Sequence, residues 1–306
     1  MSATLLTYAS REDWLAHRGE GIGASEAAAV LGISPWLSPF ALWGEKVGTM
    51  EPLPQSEAMT WGLRLEPLVA DHYAAETGRR VEALPPYSVH VSDTHPVMRA
   101  SLDRIVHAEG RPGPGVLELK TSGGRRSDWD DPDTIPLHYV VQVQHQLAVT
   151  GWTWGSLAVL IGGQTFRWLD IERNDEFITL LTAKVEAFWD LVQRQEPPPV
   201  DGSPSTLKAI AALYPRERAD LDPVALPPEA DQWDAQRQAA LEAIKAAEAQ
   251  KAEAEAHLKA LIGEAPAGLL PGGIRYTWAT QERKGYVVEP SSVRVLRRVE
   301  AKRRAA

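Results

Sequence analysis

The chain contains no cysteine. Disulfides, thiolate-bound metal clusters and zinc fingers are therefore excluded. Long apolar runs are missing as well: nothing in the sequence approaches the length needed to span a bilayer, and the amino terminus lacks the charged-then-apolar order of a secretory signal. Together these absences predict a soluble, cytoplasmic protein. An excess of positive charge is also absent, since 32 Lys and Arg stand against 41 Asp and Glu and leave a formal net charge of −9. That balance runs against non-specific attraction to nucleic acid, which rests on neutralising phosphates. A global sum, however, says little about the field inside one groove. With 306 residues the chain can bury a sizeable core and still carry an appendage.

What is present is most pointed around Asp103 in "ASLDRIV" and Glu118-Leu119-Lys120 in "GVLELKT". "VLELK" alternates apolar and polar residues and leaves the Gly/Pro-rich turn "GRPGPG", so it reads as a strand with Glu118 and Lys120 on one face. "MRASLDRIV" reads as the preceding strand, and a tight hairpin would bring the Asp103 carboxylate beside that of Glu118. Two hard oxygen ligands suit Mg2+ or Mn2+, with the Leu119 carbonyl free to add a third oxygen. Such a metal polarises a phosphate and acidifies an attacking water, while Lys120 is suited to orient that water or to stabilise a pentacovalent transition state. An exposed hairpin carries the same residue types as plain ion pairs, so the pattern needs support from elsewhere in the chain.

Three further segments supply it. "MTWGLRLEPLVADHYAAETG" places Trp61, Leu65, Leu68, Val69 and Tyr73 at helical spacing, contains Glu66 and stops at Gly78. "IPLHYVVQVQHQLAVTG" reads as a helix from about Pro136 to Gly151. In it Gln142, Gln144, His145 and Gln146 interrupt the apolar pattern, and amides on a mostly buried helix need partners. "WLAHRGEGIGASEAAAVLGISPWLSP" sets Arg18 and Ser25 around a glycine-rich turn opening an Ala-rich helix, where backbone N–H groups, a hydroxyl and a guanidinium suit a phosphate.

Taken in order, "R-x-GIGASEAAAVLG-x-SPW-x-SP", "WG-x-x-LEP", "SLD", "LELKT" and "HYVVQVQHQLAVTG" resemble the YqaJ-type viral recombinases, relatives of phage lambda exonuclease among the PD-(D/E)XK nucleases. The resemblance runs from about residue 10 to 200. It implies an α/β fold, a restriction-endonuclease-like core with a mixed central sheet flanked by helices. It also implies a catalytic set of Glu66, Asp103, Glu118, Lys120 and Gln142. Within that set, Asp103, Glu118 and the Leu119 carbonyl would ligate Mg2+ or Mn2+, Glu66 through a water, and Gln142 would support the centre. Arg18 and Ser25 match the pair that holds a 5′-terminal phosphate. The turn before the ligand, Ser101-Leu102-Asp103, departs from the family's frequent Thr-Pro-Asp.

The implied activity is divalent-metal-dependent 5′-to-3′ digestion of linear double-stranded DNA. It would leave 3′ single strands for a single-strand annealing partner in phage-type recombination, with a ring-shaped trimer as the implied assembly. The setting would be the cytoplasm of a bacterial host of a phage or prophage. The alternatives are an endonuclease of the same superfamily and a non-catalytic DNA-binding protein. The absence of cysteine argues against the relatives that carry an iron–sulfur cluster.

Remaining features divide the chain into a core over 1–205, an acid-leaning, proline-bearing linker over 206–228 and a C-terminal extension over 229–306. Residues 229–262 predict one long helix, "GIRYTWATQ" a strand, and "EPSSVRVLRRVEAKRR" a capped helix with a basic end, a DNA-contacting lobe or oligomer contact. Among the 11 tryptophans core packing is the ordinary role, but Trp36 in "SPWLSP" falls on a loop near the phosphate pair, positioned to stack on a terminal base. Arg125 and Arg126 in "TSGGRRSDWDD" are candidate backbone-phosphate contacts. His72 and His145 lie on the two helices that approach the centre, where a buried, hydrogen-bonded imidazole explains them as well as a ligand does.

Overall fold

The computed structural model describes residues 3–52, 55–123, 134–282, 285 and 294–298. Its contacts separate two compact units, Met1–Pro215 and Arg216–Ala306. The first unit begins with β1 (Ala3–Thr7), α1 (Arg11–Arg18), β2 (Ile22–Gly23), a 3-10 turn (Ala24–Glu26) leading into α2 (Ala27–Val30), α3 (Pro39–Lys46) and α4 (Glu57–Thr77). It continues through β3 (Arg80–Glu82), β4 (Ser88–Ser92), β5 (Met98–Ala100), β6 (Arg104–His107), β7 (Gly115–Ser122), α5 (Leu137–Thr150), β8 (Trp154–Ile161) and β9 (Thr165–Glu172). It closes with α6 (Asp175–Arg194) and α7 (Pro204–Leu213). The second unit holds α8 (Ala230–Ile262), β10 (Ala267–Leu269) and β11 (Arg275–Thr277). The class is mixed α/β, with mixed sheets flanked by helices, as the sequence leads one to expect.

The first unit carries two sheets, ordered β1-β4-β5-β2 and β3-β6-β7-β8-β9. The split explains itself at "MRASLDRIV", which is two strands rather than the single expected one. Met98–Ala100 pairs with β4 in the first sheet, and Arg104–His107 pairs antiparallel with β7 in the second. Ser101–Asp103 carries the chain between them. The Asp103 Oδ2 accepts the Leu119 backbone N–H at 2.8 Å, so a side-chain oxygen takes the place of a ladder carbonyl where the pairing gives out. Asp103 therefore stands at the head of β6, level with the middle of β7.

Strand alternation assigns the faces of β7. Leu117 and Leu119 pack with Val69, Ala70 and Tyr73 of α4, while Val116 joins the larger core that includes Val141, Val143 and Leu147 of α5. Glu118 and Lys120 thus share the α5 face. The β7 and β8 strands run parallel, which requires a crossover, and α5 is that crossover. It packs on strands of both sheets and on α6. Gly151, at φ 75°, ends it in the left-handed conformation that glycine adopts without strain, and Gly78 at φ 68° ends α4 in the same way.

Two expectations shift. Only the C-terminal half of α4 is buried: Val69, Ala70 and Tyr73 enter the core, whereas Trp61 and Leu68 of the expected stripe stay exposed. The boundary expected at 205/206 falls inside α7. Ala209 is buried against Phe40 and Ala41 of α3, the Ser38 N–H donates to Ser205 Oγ at 3.0 Å, and Thr206 Oγ1 donates to Ser38 Oγ at 2.8 Å. A short apolar helix gains more by covering α3 than by remaining a linker.

In the second unit, α8 runs 33 residues without a buried side chain, and β10 pairs antiparallel with a three-residue β11, shorter than the expected strand. Of the basic helix expected at the end of the chain, residues 294–298 are described and are not helical. Arg298 Nε donates to both oxygens of Asp234 on α8, at 3.1 and 3.2 Å. The rest of that segment lies outside the described residues.

Candidate active site

The site grows from the α5 face of β7. Glu118 is 2% exposed. A carboxylate this deep must have its charge and lone pairs satisfied, or the fold would neutralise it. Lys120 Nζ lies 2.5 Å from Glu118 Oε1, the Gln142 amide donates to the same oxygen at 2.6 Å, and the Gln146 amide donates to Oε2 at 2.6 Å. Gln142 and Gln146 are four residues apart on α5, hence on one face of it, and together they grip both oxygens. This is where the buried amides of the sequence find their partners. Gln144, by contrast, donates to the Glu172 carbonyl at 2.7 Å and accepts from the Asn174 N–H at 3.0 Å, pinning α5 to the start of α6.

Lys120 is 22% exposed at the rim of this pair. Burial pushes its ammonium pKa down, but the Glu118 and Asp103 carboxylates outweigh that and hold it above the usual lysine range. Lys120 is therefore a fixed cation at neutral pH. Asp103 shows the opposite strain: burial raises its carboxyl well above the usual range, the charges of Glu118 and Glu66 add to the rise, and Lys120 and the Leu119 N–H oppose it. A buried acid opposed by two neighbouring carboxylates forms a site that a cation would relieve.

Glu66 enters from α4 but points its carboxylate to Arg104, whose Nη1 donates to Glu66 Oε1 at 2.6 Å and to the Asp103 carbonyl at 2.5 Å. No group of three His, Asp or Glu side chains stands in ligand arrangement among the described residues. The donor set still fits a hard dication in kind. Asp103 Oδ1 accepts no hydrogen bond among the described residues, and carboxylate oxygens are what Mg2+ and Mn2+ take.

The expected phosphate pair also comes together: Arg18 Nη2 lies 3.4 Å from Ser25 Oγ, with its guanidinium 5.0 Å from the centroid of the Trp14 ring. The Ala-rich helix beside it is shorter than expected, a single turn. At its start, Glu26 Oε2 accepts the Gly23 N–H at 2.8 Å and pairs with Lys46 Nζ at 2.8 Å. One backbone donor of the anticipated cradle is thus already satisfied from within. Trp36 is 47% exposed and meets His138 and Tyr139 of the first turn of α5. His72 sits edge-on to Phe166 at the surface, and His145 is buried with Nε2 3.2 Å from the Arg99 carbonyl, so both imidazoles serve packing. Arg125 and Arg126 lie outside the described residues.

Gln146, Arg104 and Tyr139 were not anticipated as members of the site. The signal for Gln146 was available, since it falls four residues after Gln142 on a buried helix. Arg104 and Tyr139 carried none. The first contacts Glu66 from a different element, and the second reaches Lys120 only through the fold.

Residues 13–153, which contain Arg18, Ser25, Glu66, Asp103, Glu118, Lys120 and Gln142, match the YqaJ-like viral recombinase domain. The chain is also 36% identical over 210 residues to the uncharacterized protein YqaJ of Bacillus subtilis strain 168, covering 67% of this chain and 64% of that relative, just under two thirds of its length. Among solved structures, the alkaline exonuclease LHK-Exo of Laribacter hongkongensis is similar at 23% identity and a TM-score of 0.49, over 60% of this chain and 93% of that one. A phage-related exonuclease from Haemophilus somnus 129PT is similar at 9% identity and a TM-score of 0.42, over 57% and 96%. The matched residues thus run from the Arg18–Ser25 pair to the amide grip of α5.

Proposed function

We propose that this protein is a divalent-metal-dependent nuclease that digests linear double-stranded DNA from 5′ ends and leaves 3′ single strands. One observation carries the reading: a buried Glu118, gripped by Lys120, Gln142 and Gln146, stands beside a second acid, Asp103, whose ionisation its surroundings oppose. A surface ion pair would have neither the burial nor the like-charged neighbours, and such arrangements concentrate where chemistry is done. The YqaJ-like domain supports the same conclusion.

Asp103 and Glu118, with the Leu119 carbonyl and with Glu66 through a water, are the residues that would hold Mg2+ or Mn2+, which supplies phosphate polarisation and a more acidic attacking water. Lys120, kept protonated by its two carboxylate neighbours, offers N–H donors to the oxygens on which negative charge grows. Gln142 and Gln146 keep Glu118 in one orientation, so the donor set does not need to reorganise during the reaction. Arg18 and Ser25 hold the 5′-terminal phosphate, which sets the register of the end being cut. Arg125 and Arg126 contact the DNA backbone. The 3′ strands feed a single-strand annealing protein in phage-type recombination in the bacterial cytoplasm, and the working assembly is a ring of identical copies. Among the described residues no helix is long and apolar enough to cross a membrane.

The test is a linear duplex with 5′ phosphates, labelled at either end, incubated with Mg2+ or EDTA beside the same duplex closed into a circle. Metal-dependent loss from 5′ ends with the circle intact is the expected outcome. Cutting of the circle would replace the exonuclease with an endonuclease, and binding without cutting would leave a DNA-binding protein.

A further inference from the structure

Three rings, Tyr139, His138 and Trp36, lead away from Lys120 and take no part in metal binding, phosphate capture or the grip on Glu118. Lys120 Nζ lies 5.1 Å from the centroid of the Tyr139 ring. The Tyr139 ring is 4.1 Å from that of His138, and His138 meets Trp36 edge-on at 4.8 Å. The Trp36 and Tyr139 centroids are 6.2 Å apart. An unbroken series of rings thus leads from the candidate catalytic cation to an indole that is 47% exposed.

The chain on either side holds the indole outward. Ser34 Oγ accepts the N–H groups of Trp36 and Leu37 at 3.3 and 3.2 Å, which fixes the turn. Leu37 packs into the core and Ser38 is buried as the N-cap of α3, so the residues on the C-terminal side of Trp36 are anchored while its ring faces solvent. A rigid, half-exposed aromatic at a nucleic-acid site is what stacks on an unstacked base. Beside it, a cavity of about 140 Å³ is lined by Trp36, Ser34, Ser38, Ser203 and Asp201. No cation lines that cavity, and Asp201 has its pKa lowered by its Ser203 and Thr206 hydrogen bonds, so it stays anionic. That lining disfavours a phosphate there.

We infer that Trp36, with His138 and Tyr139 beneath it, is a stacking platform for the unpaired nucleobase adjoining the scissile phosphate. The inference rests on the nuclease reading of the site. A nucleotide alternates anionic phosphate and flat base, and the protein presents the complementary alternation: Lys120 for the first, the aromatic series for the second.

The experiment uses the full chain in EDTA, so that nothing is cut, and a 5′-phosphorylated duplex carrying 2-aminopurine or an abasic residue at its 5′-terminal nucleotide. Stacking changes the 2-aminopurine fluorescence on binding. Trp36→Ala is expected to abolish that change and weaken binding between about fivefold and a hundredfold, with Trp36→Phe retaining most of both. On the abasic duplex the wild type and Trp36→Ala should bind alike. Equal affinity and fluorescence in Trp36→Ala, or an equal loss on the abasic duplex, overturns the platform. If Trp36→Ala does not fold, His138→Ala takes its place: a smaller loss of signal is expected, and an unchanged signal overturns the platform. Re-addition of Mg2+ separates the two readings: base-dependent binding without cutting removes the nuclease and keeps the platform, while normal cutting by a Trp36→Ala protein removes the platform and keeps the nuclease. A wild type that binds no duplex end overturns both.

Discussion

Helix α5 and helix α8 are opposite solutions to being a helix. The α5 sequence is rich in valine and interrupted by three glutamines and two histidines, a poor choice on intrinsic propensity, yet every residue from Val143 to Thr150 is buried. By contrast, α8 is built of Ala, Glu, Lys and Gln, the best helix formers, and buries none of its 33 residues. One helix exists because the tertiary structure requires it, the other because its own backbone prefers it. Precise chemistry accompanies the first kind: side chains on α5 sit in single arrangements because packing and hydrogen bonds leave no alternative, and three of its residues aim at β7. On α8, side chains meet solvent and i,i+4 pairs such as Lys251 with Glu255 at 3.5 Å, which solvent screens.

The contrast can be sharpened by removing what α5 holds. Lys120→Ala, which takes away the cation on the α5 face, should lower cutting by roughly 10²–10³ while duplex binding persists. Cutting at near wild-type rate in a gel assay would sink the assignment. Gln146→Leu comes next, leaving Glu118 Oε2 without its donor. Activity should fall roughly 10–100-fold, with a higher Mg2+ requirement, and the fold should lose about 1–3 kcal/mol in urea titration. An unchanged metal dependence would show that Gln146 only packs.

The buried imidazole of α5 gives a test by pH. Burial lowers the His145 pKa from 6.5 to about 4, against smaller raising contributions from backbone hydrogen bonds at Arg99 and Ile22. The unfolded chain therefore binds a proton that the folded chain refuses. Its stabilising contribution is complete above pH 6.5 and lost as pH falls towards 4, roughly 3 kcal/mol over that window. His145→Gln should flatten the acid limb of a stability-against-pH curve, and an unaltered limb would assign the acid sensitivity elsewhere. Arg18→Ala should act more narrowly, reducing the preference for 5′-phosphate over 5′-hydroxyl ends by about tenfold. An equal loss on both ends would break the phosphate assignment. The smallest effect belongs to α8. Ala247→Gly should cost about 1 kcal/mol of local helix stability, visible in circular dichroism, and leave cutting unchanged. A large loss of activity would mean that α8 buries surface in the working assembly.

Local signals made much of this legible. Gly78 and Gly151 mark the ends of α4 and α5, because each adopts a left-handed conformation that other residues avoid. The alternation of "VLELK" placed Glu118 and Lys120 on one face, since strand periodicity is a property of the backbone alone. Less local matters were hidden. The broken strand at Ser101–Asp103 depends on which sheet each half joins, and the Glu66–Arg104 pair depends on α4 lying beside β6. The reach of α7 back to α3 spans more than a hundred residues of sequence, and no periodicity announces it.

From the sequence alone follow the α/β class, the ends of α4 and α5, the strand that carries the chemistry, and the set of acids, lysine and amides in order along the chain. These are written in composition, capping and periodicity, which act between neighbours. The tertiary structure decided which oxygen each amide grips, that Glu66 turns to Arg104, that Gln146 shares the hold on Glu118, and that Tyr139 links Lys120 to Trp36. Those are contacts between elements remote in sequence, and only the packing of α5 against strands of both sheets selects among them.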